Sequence, residues 1–206
     1  VENIFRKYMI TLNEVIEKSG LHPTRIQNVY IFGSHCYCVN SEKSDYDILI
    51  IAKTPYPEKE IVVDNFNIHI LSMDRMLEGL KQHNIGRIEC ILSPFILKEE
   101  VKIPLQIKIP GLRHAISHTC SNSWVKSKKK LEQGDYYIGI KSLFHSLRIA
   151  MFGIQLIEHG KIVDWKCANY IWDKLQSKQW TWEELNEEFR AERNKIMTDF
   201  RQITEK

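Results

Sequence analysis

The segment 29–51, VYIFGSHCYCVNSEKSDYDILII, constrains this chain more than any other. Residues 29–32 and 48–51 are short runs rich in β-branched and aromatic side chains, which reads as a pair of buried strands. The polar stretch separating them is too long for a tight hairpin, so the chemistry-bearing residues fall at strand ends. Asp45 and Asp47 are two apart, and in extended backbone their carboxylates project from one face. Like charges so placed call for a cation. Two hard oxygen donors suit Mg²⁺ or Mn²⁺, above all an ion that also takes oxygens from a triphosphate. Gly33 allows close approach of backbone to a phosphate, and Ser34 with the N–H groups that follow supplies hydrogen bonds to it. The plainer reading, in which Ser44-Asp45-Tyr46-Asp47 merely opens a strand, leaves Gly33-Ser34 unexplained.

Gly33-Ser34, ten residues, then Asp45-x-Asp47 and an apolar run resembles the DNA polymerase beta-type nucleotidyltransferase superfamily. Further residues are similar to a predicted nucleotidyltransferase group of bacteria and their phages. They are Gly33-Ser34 with Tyr37, the Ser44–Asp47 tetrapeptide, a helix ending near His83-Asn84, then Glu89, and a helix carrying Lys141, His145 and Arg148 followed by Gly160-Lys161-Ile162. The resemblance implies an α/β (α+β) fold, a small mixed sheet with flanking helices plus a C-terminal helical domain. It also implies a metal-bound nucleoside triphosphate held by Gly33, Ser34, Asp45 and Asp47. The superfamily uses a third carboxylate on a neighbouring strand, and here the strand 66–71 offers Asn67 and His69 instead, with Asp64 and Asp74 as the nearby acids. A neutral His69 can accept a proton from an acceptor hydroxyl, or recruitment of Asp64 through a shifted strand register can supply the acid, or His69 is simply a satisfied residue of the sheet.

The remainder is organised around that segment. Ile4, Phe5, Tyr8, Met9, Leu12, Val15 and Ile16 recur at helical spacing and predict an amphipathic helix over 2–19, stopped by Gly20 and Pro23. Residues 60–71, EIVVDNFNIHIL, predict a hairpin turning at Asp64-Asn65. A helix follows from Ser72 or Asp74 to about His83. Residues 88–92 close the apolar content of this half, and 93–113, with Pro94, Pro104, Pro110 and Gly111, mark the boundary. The expected domains are 1–105 and 106–206, with the site in the cleft.

The second half reads as helical: a break at Gly134-Asp135, a long apolar helix up to His159-Gly160, a helix over 164–175, and a Thr181-x-x-Glu184 capping box opening the last helix. Lys141, His145 and Arg148 lie at i, i+4 and i+7 and either bind a triphosphate or form a solvated basic face. Lys126, Lys128, Lys129 and Lys130 beside Trp124 offer weak RNA contact or, again, a solvated face. His114, His118 and Cys120, with Cys90 as a fourth ligand, have the spacing of a zinc site.

A net charge of +3 permits a phosphate-bearing partner without demanding a nucleic-acid-binding protein. Five cysteines without a C-x-x-C pair predict reduced thiols. The absence of an apolar leader or a run of about eighteen apolar residues predicts a cytosolic protein without a membrane span. The expected activity is metal-assisted transfer of a nucleoside monophosphate from a triphosphate to an acceptor hydroxyl. The acceptor is a small molecule, RNA or a protein. The alternatives are a nucleotide- or RNA-binding module that has lost activity, and a regulatory protein acting through helix contacts.

Overall fold

Five strands and seven α-helices are present among the residues that the computed structural model describes, 10–42 and 44–205. In chain order they are α1 (Leu12–Ser19), β1 (Ile26–Phe32), β2 (Tyr46–Ala52), β3 (Lys59–Val63), β4 (Phe66–Ser72), α2 (Met73–Lys81), α3 (Ile85–Leu92) and β5 (Ile96–Glu99), then α4 (Ile109–Glu132), α5 (Tyr136–His159), α6 (Asn169–Gln176) and α7 (Trp182–Ile203). They divide into two compact units. One holds the sheet and comprises the chain up to Cys36, Asn40–Lys81 and Gly86–Leu105; the other comprises Tyr37–Val39, Gln82–Ile85 and the chain from Gln106 onward.

The sheet runs β3-β4-β2-β1-β5. β2 and β4 are parallel and the other neighbours antiparallel, so it is mixed, as the sequence predicts. One face carries Val29, Ile31, Ile48, Ile50, Phe66, Ile68 and Ile70 into a core with Val15 of α1. Alternation turns Tyr30, Leu49, Ile51 and Leu71 to the opposite face, where all are fully buried, and α2 packs on β4 and β2.

Three elements depart from expectation, each for a local reason. The first helix begins at Leu12, because Thr11 and Glu14 form a capping box; Glu14 N donates to Thr11 Oγ1 at 3.3 Å and Thr11 N to the Glu14 carboxylate at 2.6 Å. Residues 2–9 of the expected helix lie outside the described residues. The stretch 93–113 contains β5, held at the sheet edge by Ser93, whose hydroxyl donates to Ile31 O and accepts from Phe95 N at 3.0 Å. The helix expected from Asp164 starts at Asn169. Buried Gln155 accepts from the N–H groups of Val163 and Asp164 at 2.8 and 2.7 Å, and the Asp164 carboxylate accepts from Lys166 N at 2.8 Å, a turn of its own.

In the helical unit α4 and α5 form an antiparallel hairpin against which α7 packs. A Cβ on Gly153 of α5 would lie 2.9 Å from Phe200 and 3.2 Å from Ile116, so glycine here is what lets α4 and α7 come this close. By length and composition α5 qualifies as a membrane span, contrary to the sequence expectation, but most of it is buried inside this unit as its core helix. All five tryptophans, at positions 124, 165, 172, 180 and 182, lie in this unit.

Candidate functional site

β1 ends at Phe32, whose partner across the antiparallel ladder is Asp47. The chain then leaves the sheet through Gly33, at φ +74°, into a single 3₁₀ turn closed by Cys36 N donating to Gly33 O at 2.9 Å. A Cβ on Gly33 would sit 2.2 Å from Asp47 Oδ2. Two independent requirements, left-handed backbone and bare van der Waals contact with a carboxylate, therefore fall on one residue. Ser34 is buried in that turn, Asp47 is half-buried, and Asp45 is exposed one residue before β2. The His35 imidazole stacks on Tyr46 with ring centroids 4.2 Å apart, and burial pushes it below its ordinary value, partly opposed by backbone groups of Ser44 and Asp45.

The parallel register sets Asp47 beside Asn67 and Leu49 beside His69. Asn67 Nδ2 donates to Asp47 Oδ1 at 3.3 Å, while Asn67 Oδ1 is buried with no hydrogen-bond partner. Leaving such an oxygen unpaired costs about 1–3 kcal/mol, and it places an orphan acceptor beside the Asp47 carboxylate. That donor chemistry fits a hard divalent cation, for which Asp45 and Asp47 are the carboxylates available. The shifted-register option for Asp64 fails: the register holds Asp64 in the turn at φ +51°, where its carboxylate accepts from Lys18 Nζ at 2.6 Å.

Sequence reasoning placed Asn67 at this position but missed its support of Asp47, which only the non-local β2–β4 register reveals, and it missed one member of this face altogether. Glu60 lies across from His69, with Oε1 3.4 Å from His69 Nε2. Counting back from the Asp64-Asn65 turn pairs these two residues, so that signal was in the sequence.

The other predicted sites resolve differently. Arg148 is only 3% exposed, its guanidinium 4.1 Å from the centroid of Tyr37 and 4.7 Å from that of Phe152, with Nη2 3.2 Å from His145 Nδ1. It is a core cation, which excludes a solvated face for it. Burial and then the neighbouring charges of Arg148, Lys141 and Lys126 push His145 well below its ordinary value. Lys141 reaches instead toward Tyr137, 5.7 Å from the ring centroid. Lys128 and Lys130 pair with Glu132 and Asp135 at 3.7 and 3.1 Å, and Trp124 packs edge-on to Trp182 beneath the Arg193 guanidinium. The zinc reading fails on helix geometry: His114 and His118 are exposed and stacked, whereas Cys120, two residues on and so on the opposite face, is fully buried. Among the described residues no group of three or more His, Cys, Asp or Glu is placed to hold a metal.

No protein-family model matches the sequence, and no curated protein does. Among solved structures the chain is similar to a nucleotidyltransferase-like protein from Exiguobacterium sibiricum, at 13% identity and a TM-score of 0.35, covering 94% of this chain and 73% of that one. It is also similar to a spectinomycin adenyltransferase from Enterococcus faecialis solved with ATP and spectinomycin, at 14% identity and a TM-score of 0.47, covering 96% of this chain and 100% of that one.

Proposed function

We propose that the chain transfers a nucleoside monophosphate from a nucleoside triphosphate to an acceptor hydroxyl, with release of pyrophosphate. The observation that supports this best is the contact of Gly33 with Asp47, which sets the backbone of the turn after β1 directly against a carboxylate. An anion and a carboxylate share such a corner only with a cation between them. Asp45 and Asp47 would hold Mg²⁺ or Mn²⁺, which when bound neutralises the triphosphate and the departing pyrophosphate. Gly33 and Ser34 bind the phosphates through backbone N–H groups and a hydroxyl. Asn67 keeps the Asp47 carboxylate in one orientation. Within the helical unit, Lys141 is the member of the trio whose ammonium lies outside the core, whereas Arg148 is buried with His145 against it.

A second reading, a nucleotide-binding module without turnover, is favoured by one feature: the neighbour of Asp47 on β4 is a neutral amide rather than an acid. The two part on pyrophosphate release, measured with each of the four ribonucleoside triphosphates and Mg²⁺ or Mn²⁺, with cellular RNA and a small-metabolite extract as acceptor pools. Transfer predicts release that falls by at least about two orders of magnitude in the Asp45→Asn, Asp47→Asn double variant. Metal-dependent nucleotide binding without release, lost in the same variant, would establish the module instead.

A further inference from the structure

We infer that Glu60 and His69 form the proton-accepting pair of this site, His69 taking the proton of the acceptor hydroxyl and Glu60 positioning the imidazole; this rests on the transfer reading above. The two are partners across the β3–β4 ladder, with Glu60 Oε1 3.4 Å from His69 Nε2. They share the sheet face of Asp47, because the register sets Asp47 beside Asn67 and His69 follows two residues later, about 7 Å along the strand. The edge of Phe32 meets the His69 ring at 6.2 Å between centroids and 62° between planes, which limits its rotation. His69 is 35% and Glu60 56% exposed, so an acceptor can reach the pair from solvent. Neighbouring groups do not compete for this role: Asn67 is an amide and takes no proton, and the Asp64 carboxylate is engaged by Lys18.

A carboxylate that holds one ring N–H fixes the tautomer, and the other nitrogen keeps its lone pair. Glu60 Oε1 stands at ion-pair distance from Nε2, and a small rotation of the exposed Glu60 side chain brings it onto the Nε2 proton, which leaves Nδ1 as the accepting atom. The hydroxyl proton passes to Nδ1 as the hydroxyl oxygen forms its bond to the α-phosphorus. The bond from that phosphorus to the bridging oxygen breaks, and its electron pair leaves with pyrophosphate. Glu60 remains ionised throughout and offsets the positive charge that His69 acquires. Atoms and charge balance without a further reactant.

The test compares wild type, His69→Ala, Glu60→Gln and Glu60→Asp in the pyrophosphate assay, with nucleotide affinity read separately by a fluorescent ATP analogue. His69→Ala is expected to lower kcat about 100-fold with nucleotide affinity and KM unchanged, and free imidazole to restore part of the loss, which a merely structural histidine would not allow. Glu60→Gln is expected to lower kcat about tenfold, and Glu60→Asp to keep most of it. Wild-type kcat in His69→Ala or Glu60→Gln, or a loss that imidazole leaves untouched and that comes with lost nucleotide binding, would overturn the pair's role while the transfer reading stands. No release from wild type would overturn the transfer reading itself and the pair's role with it.

Discussion

Gly33 is the residue at which the backbone and the chemistry make incompatible demands on any other amino acid. Its φ of +74° alone costs an alanine about 1–2 kcal/mol, and the added methyl would also displace the Asp47 carboxylate. Gly33→Ala is therefore expected to abolish nucleotide binding, whereas Gly160→Ala, at φ +67° with nothing near its Cβ, is expected to cost about 1–2 kcal/mol in denaturant unfolding and leave binding alone. At this scale the sequence was informative where function and fold fell in one local run. Gly33 and Asp47 are flanked by strand-forming residues within a single short segment, and their contact follows from the antiparallel pairing of those strands. Arg148 was not legible, because a helical repeat cannot tell a cation facing water from one sandwiched between the rings of Tyr37 and Phe152.

Elements were readable when their boundaries were written in local chemistry. The β3–β4 turn at Asp64-Asn65, the break before α5 and the Thr181 capping box of α7 are such cases. They were not readable when a distant group decided the boundary. β5 is four residues long and exists because β1 offers it an edge; α6 starts late because Gln155 captures the N–H groups before it. The start of α4 has a similar remote support with a pH consequence. His83 Nε2 accepts from the backbone N–H of Lys108, the residue capping α4, at 2.9 Å, and burial followed by the charge of Lys108 lowers the imidazole's affinity for protons. The folded state thus disfavours protonation relative to the unfolded chain, whose value is 6.5. The stabilisation is complete above that pH and declines as pH falls through it toward the depressed folded value. Denaturant midpoints at pH 7.5 and 5.5 should show this acid-side loss, and His83→Gln, which keeps an acceptor but does not titrate, should reduce it.

For the molecule as a whole, the five thiols map which regions solvent can reach. Cys36, Cys90 and Cys120 are buried and Cys38 and Cys167 half-buried, and none is in a disulfide. Burial raises the Cys120 thiol to about 12 and the Cys167 thiol to about 11, which suppresses the reactive thiolate in both. A native titration with a disulfide reagent should consume at most two thiols, Cys38 first and Cys167 slowly, with all five reacting after unfolding. Prompt reaction of more than two would contradict this packing. The placement of all five tryptophans in the helical unit bears on how such experiments are read. Indole emission from this chain arises in the helical unit, from helices and from the loops at Trp165 and Trp180. A melting curve followed at that wavelength reports the surroundings of that unit's indoles, and a direct probe of the sheet that carries Gly33 and Asp47 is amide exchange or an indole placed there by design.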